Sequence, residues 1–158
     1  MSGNVRFNIE DTVKKNLSGD RLKNALNIFD FLKANGVYPP TVESDCWNYQ
    51  GKDLFVIHAY ENDDNNWFIY GNVENIDGFP ICDEMREFVW ANVRICNKIC
   101  GCIEAPRGGG KTILGKKFEN TCSCDIWFVN PDAEILELFM KFVALTKQNI
   151  DSMETKNA

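Results

Sequence analysis

Five of the seven cysteines fall between Cys96 and Cys124, and thiols at that density are the groups in this chain best suited to chemistry. Cys100-Gly-Cys102 and Cys122-Ser-Cys124 make two pairs at i, i+2. In extended backbone that spacing points both sulfurs of a pair to one side. Two such arms brought face to face offer four thiolates in a tetrahedral set, the coordination structural zinc prefers, and the metal would tie down the loop between them. Zinc is therefore the one cofactor the sequence suggests, with Cys100, Cys102, Cys122 and Cys124 as its ligands. The spacing is not the C-x-x-C of most zinc knuckles, and Cys96-x-x-x-Cys100-x-Cys102 departs from the C-x-x-x-C-x-x-C of iron–sulfur radical enzymes. The plain alternative is packing: Cys122 and Cys124 alternate in step with Ile126 and Phe128, and a thiol behaves as a small hydrophobe in a core.

Between the two thiol pairs lies Ala105-Pro-Arg-Gly-Gly-Gly-Lys111-Thr112, which fits a permissive Walker phosphate loop with alanine in its first glycine position. A working loop of that kind needs a buried strand before it and a helix directly after Lys-Thr, whose first amides cradle the phosphates. Ile113-Leu114-Gly115-Lys116-Lys117-Phe118 reads instead as strand and turn. Arg107 and Lys111 remain the candidate contacts for an anionic cofactor or ligand, on a glycine-rich loop between two strands.

His58 is the only histidine and sits in an apolar run, where a satisfied core histidine is the ordinary role and a base for a cysteine nucleophile the alternative. The aromatic residues Trp47, Tyr49, Tyr60, Trp67, Tyr70 and Trp90 cluster around it in sequence. A sheet face with that many rings lines either a core or an apolar pocket, and His58, Trp67, Tyr70 and Trp90 are the expected pocket residues. The acidic turn Glu61 to Asp64 lacks the spacing of a calcium loop and reads as a solvated hairpin.

These groups need a scaffold, and hydrophobic periodicity supplies one. Residues 1–17 are polar and mixed in charge, which predicts a flexible arm with a helical turn near Thr12 to Asn16. Ser18 as N-cap, Leu22, Leu26, Phe29 and Leu32 at helical spacing, and Gly36 before Pro39-Pro40 predict a helix over 19–35. Asp45 to Tyr49, Leu54 to Tyr60 and Trp67 to Val73 read as an antiparallel meander, its central strand apolar on both alternations and so covered on both faces. Asp83 caps a helix running to about Lys98, and Thr112 to Leu114 and Ser123 to Val129 are two further strands. Asn130 caps a last helix, with Pro131 in its first turn, Asp132 and Glu134 at its positive end, and Ile135, Leu138, Phe139, Phe142 and Leu145 as its buried stripe. The expected fold is a single α+β domain over 18–150, an antiparallel sheet of about five strands with three packed helices, followed by a frayed tail over 151–158.

Composition narrows the classes of function. A chain of 158 residues buries roughly 70% of its unfolded surface and needs no staples. A net charge of −6 argues against wrapping nucleic acid, whose recognition rests on clustered Lys and Arg. No apolar run is long enough for a membrane span, and Met1 to Asn8 lacks the pattern of a signal peptide, so the expectation is a cytoplasmic protein with reduced thiols.

Gly115-Lys116-Lys117-Phe118-Glu119-Asn120, the nearby Cys122, and Asn130-Pro131-Asp132-Ala133-Glu134 before an apolar helix resemble the C-terminal third of an uncharacterised family of cysteine-rich bacterial α+β proteins. The order of elements is similar to that of small bacterial YjbR-like and YdhG-like domains. The resemblance implies an α+β fold with its cysteines in a glycine-rich knuckle, and no activity. The sequence reading is a non-enzymatic small-ligand-binding or regulatory module with a cysteine-rich, zinc-holding loop. The alternatives are a thiol-dependent enzyme acting on a small or phosphate-bearing substrate, and a protein-interaction module that presents the glycine loop to its partner.

Overall fold

The computed structural model describes residues 8–41, 44–59, 65–96 and 110–157, with the side chain of residue 123 left aside. The chain is α+β. Among the described residues, four α-helices accompany a five-stranded antiparallel sheet of order β1-β2-β3-β7-β4 and a two-stranded hairpin, β5-β6. Tertiary contacts divide it into two compact units, residues 1–69 with 128–140 and residues 70–127 with 141–158.

The first unit holds α1 (Ile9–Asn16), α2 (Gly19–Ala34), β1 (Cys46–Tyr49), β2 (Lys52–Ala59) and most of β3 (Trp67–Gly71). Where a loose arm was expected, α1 is a capped helix: Asn8 Oδ1 accepts from the Glu10 and Asp11 amides, and Ile9, Thr12 and Val13 are buried. Three inward residues in eight are enough to dock so short a helix, and it packs on α2 and β2. The buried stripe of α2 is Ala25, Ile28, Phe29 and Leu32, whereas Leu22 and Leu26 are only half-buried. Phe29 stacks on Trp47 of β1 at 5.4 Å, and Phe55 of β2 meets Phe139 edge-on at 4.9 Å. Phe55, Ile57 and Ala59 on β2, with Trp67 and Ile69 on β3, supply the buried alternation. Val56 and His58 on the other alternation of β2 are half-exposed, so the expectation of a strand sealed on both faces fails there.

The second unit holds α3 (Asp83–Ala91), β4 (Val93–Ile95), β5 (Lys111–Ile113), β6 (Lys116–Phe118), most of β7 (Thr121–Val129) and the C-terminal part of α4 (Ala133–Lys156). The helix expected to reach Lys98 stops at Ala91, with Cys82 rather than Asp83 in the N-cap position. Asn92 closes it by donating its side-chain amide to the Phe88 carbonyl at 2.8 Å, and the β-branched Val93 and Ile95 then pair with β7 as a strand. Leu114 and Gly115, both at positive φ, turn β5 into β6, and the glycine takes that left-handed conformation without strain.

Helix α4 differs from expectation at both ends. Asp132, not Asn130, caps it, accepting the Ile135 amide at 2.9 Å, while Asn130 sits at φ 46 outside the helix. The helix continues to Lys156, so the tail beyond residue 151 is helical rather than frayed. Its buried face is Leu136, Phe139, Phe142, Val143, Thr146, Asn149 and Ile150, with Ile135, Leu138 and Leu145 half-buried beside it. Asn149 is polar within that face because its side-chain amide donates to the Asn75 carbonyl.

Candidate ligand cleft and the cysteine strand

The end of α2 fixes one wall of a cleft. Gly36, at φ 73, follows the helix, its amide reaching the Lys33 carbonyl at 3.1 Å and the next amide, Val37, reaching that of Leu32 at 2.9 Å. This is a Schellman closure, and the buried Val37 and Leu32 supply the apolar contact that accompanies it. The chain then turns alongside β1: Tyr38 and Asn48 exchange amide-to-carbonyl bonds at 3.0 and 2.9 Å. The Tyr38 hydroxyl donates back to the Lys33 carbonyl at 2.8 Å, and the two prolines that follow restrict the backbone. The wall is held in place before any ligand arrives.

Asn8, Ile9 and Glu10 at the start of α1 form the opposite side, and Trp47 with Pro39, Pro40 and Thr41 completes a cleft of about 330 Å³. That size falls within the range of small-molecule sites, and apolar rings with a few placed polar groups are their usual lining. Two details mark this cleft. Trp47 is 1% exposed, yet its indole N–H has no hydrogen-bond acceptor among the described residues. A buried donor left unpaired costs about 1–3 kcal/mol. The second detail is an ion pair in the lining, Lys33 Nζ to Glu10 Oε2, whose other oxygen lies 4.0 Å from Lys14.

The four residues expected to line a pocket lie elsewhere. His58 Nδ1 is 3.0 Å from Asp45 Oδ2. Trp67 is fully buried, with its own indole N–H unpartnered among the described residues. Tyr70 stacks on Trp127 at 5.2 Å, and Arg94 lies 3.4 Å above the same indole. Trp90 donates its indole N–H to the Ile113 carbonyl at 2.8 Å, with Arg86 and Lys116 near its ring. None of the four lines the Trp47 cleft. The signal that did point there was the Gly36 stop followed by two prolines, which the sequence reading used only as a helix terminator.

Cys46 neighbours the His58 pair on β1, opposite Val56 in register and thus on the same sheet face as His58. Burial, followed by the carboxylates of Asp53 and Asp45, pushes its thiol up to about 11. At neutral pH it stays protonated, the opposite of what a cysteine nucleophile requires.

In the second unit Lys111 opens β5, and a strand rather than a helix follows it. Its ammonium lies 2.8 Å from Asp125 Oδ1, and Asp125 Oδ2 accepts the Val73 amide at 3.1 Å. These residues, with Asn72, Glu74, Asp77 and Leu114, border a cleft of about 270 Å³. Of the proposed zinc ligands, Cys122 is buried and Cys124 half-buried on the β7 alternation that also carries Ile126 and Phe128. Cys100, Cys102 and Arg107 lie outside the described residues. Among the described residues no three His, Cys, Asp or Glu side chains gather into a metal site, and no helix is long and apolar enough to cross a membrane. Comparison with family models, with curated proteins and with solved structures finds no match for the chain.

Proposed function

We propose that this protein is a small-ligand-binding module and that the Trp47 cleft is its site. The observation that carries the reading is the cleft itself, of ligand size, with apolar residues and one lysine–glutamate pair in its lining. The held wall from Tyr38 to Thr41 adds preorganisation, which lowers the ordering cost of binding. The protonated Cys46 thiol favours binding over thiol catalysis at the His58 face.

The test is a thermal-shift screen of small aromatic and aliphatic compounds, followed by two-dimensional NMR of the indole N–H resonances. A ligand specific to the native state raises the melting temperature with its concentration. Binders are expected to move the Trp47 indole resonance most, and Tyr38→Ala is expected to weaken them. Binders that leave Trp47 unmoved while shifting Trp90 or Trp127 would place the site elsewhere and end this reading.

A further inference from the structure

We infer, building on the Trp47 cleft as the ligand site, that its ligand is an organic carboxylate with an apolar body. Among the described residues that line the cleft, only Glu10 and Lys33 are charged. Glu10 is not committed to Lys33 alone: one oxygen faces Lys33 in the cleft and the other faces Lys14 on the next turn of α1. Among the described residues, two ammonium groups therefore share one carboxylate. An arriving carboxylate gives the second ammonium a partner of its own. Glu10 turns fully to Lys14, four residues along the same helix, and Lys33 is released to the ligand without either carboxylate losing a counter-charge.

The rest of the lining suits the remainder of such a molecule. Ile9, Tyr38, Pro39, Pro40 and Trp47 offer an apolar surface for an aryl or alkyl body. An amine would meet the opposite situation, competing with Lys33 for the Glu10 carboxylate. The Asn8 side-chain oxygen, also in the lining, is already occupied by the Glu10 and Asp11 amides.

The probes are a matched series: 3-phenylpropionate, its neutral amide 3-phenylpropionamide, and the cation 3-phenylpropylamine. Dissociation constants are measured on the full chain by NMR titration of the Trp47 indole resonance. The carboxylate is expected to bind about tenfold tighter than the amide, the worth of a hydrogen bond to a charged group. Lys33→Met should erase that difference by weakening the carboxylate and leaving the amide unchanged. Glu10→Gln should tighten the carboxylate, because Lys33 no longer has a resident partner. Amide or amine binding as tightly as the carboxylate, or Glu10→Gln leaving the carboxylate constant unmoved, overturns the ligand class and leaves the cleft standing. No binding by any of the three overturns the ligand class, and a blank compound screen alongside it overturns the cleft as well.

Discussion

Lys111 and Asp125 form a 2.8 Å ion pair in which the carboxylate is almost fully buried and the ammonium is about 39% exposed. The asymmetry decides what each substitution does. Lys111→Met leaves a desolvated carboxylate with the Val73 amide but no counter-charge, and should cost about 3 kcal/mol. Asp125→Asn leaves a lysine that can turn to water and keeps an acceptor for the Val73 amide, so it should cost about 1 kcal/mol. The double variant should recover most of the lysine penalty, giving a coupling of about 2–3 kcal/mol in urea unfolding. Equal costs for the two single variants would contradict the asymmetry.

That pair also shows where the sequence was legible and where it was not. Glycines followed by Lys-Thr look the same whether the lysine cradles a phosphate or anchors a hairpin. The difference lies in Asp125, fourteen residues away, and no local pattern joins the two. The α+β class, the meander and the final helix were readable because periodicity and turn residues are local. Helix ends were read less well: Val93 and Ile95 continue the helical spacing of α3, yet pairing with β7 claims them as a strand. Of the Trp47 cleft only the Gly36 stop and the two prolines after it were readable, and they do not say what faces them. The cleft depends on Tyr38 crossing to Asn48 and on α1 docking, both tertiary events.

Asn130 binds Trp67 twice: its amide donates to the Trp67 carbonyl at 2.9 Å, and its side-chain oxygen accepts the Trp67 amide at 2.9 Å. Its side-chain nitrogen reaches Asn66, and its φ of 46 is a conformation asparagine tolerates and alanine resists. Asn130→Gly keeps the backbone and loses the side-chain bonds, for an expected cost of about 1 kcal/mol. Asn130→Ala adds left-handed strain, for about 2–3 kcal/mol in total. Chemical denaturation of both variants checks the order; alanine no worse than glycine would remove the strain argument.

Cys46 gives the fold an alkaline weakness. Its thiol ionises near 9.0 in the unfolded chain and near 11 in the native one, so between those values the native state holds more protons than the unfolded state. Stability from this group is complete below pH 9, falls as pH rises through the native value, and does not return above it. Cys46→Ala should flatten the loss of melting temperature between pH 9 and 11 relative to the parent protein. An unchanged slope would show that the thiol is not held in its protonated form.

The zinc expectation now rests on two thiols whose placement is known. Cys122 and Cys124 share a strand face with Ile126 and Phe128, and the residues described around them bring no third ligand. A four-thiolate site thus requires Cys100 and Cys102. If those two complete it, protein purified without added metal carries one zinc per chain, loses it with Cys122→Ser or with Cys100→Ser, and is destabilised by chelators. If Cys122 is only a core residue, Cys122→Ser still costs about 1–2 kcal/mol, because a hydroxyl replaces a buried thiol, but Cys100→Ser and chelators leave the melting temperature unchanged. The response to Cys100→Ser therefore separates the two cases, with elemental analysis of the same samples as the direct check.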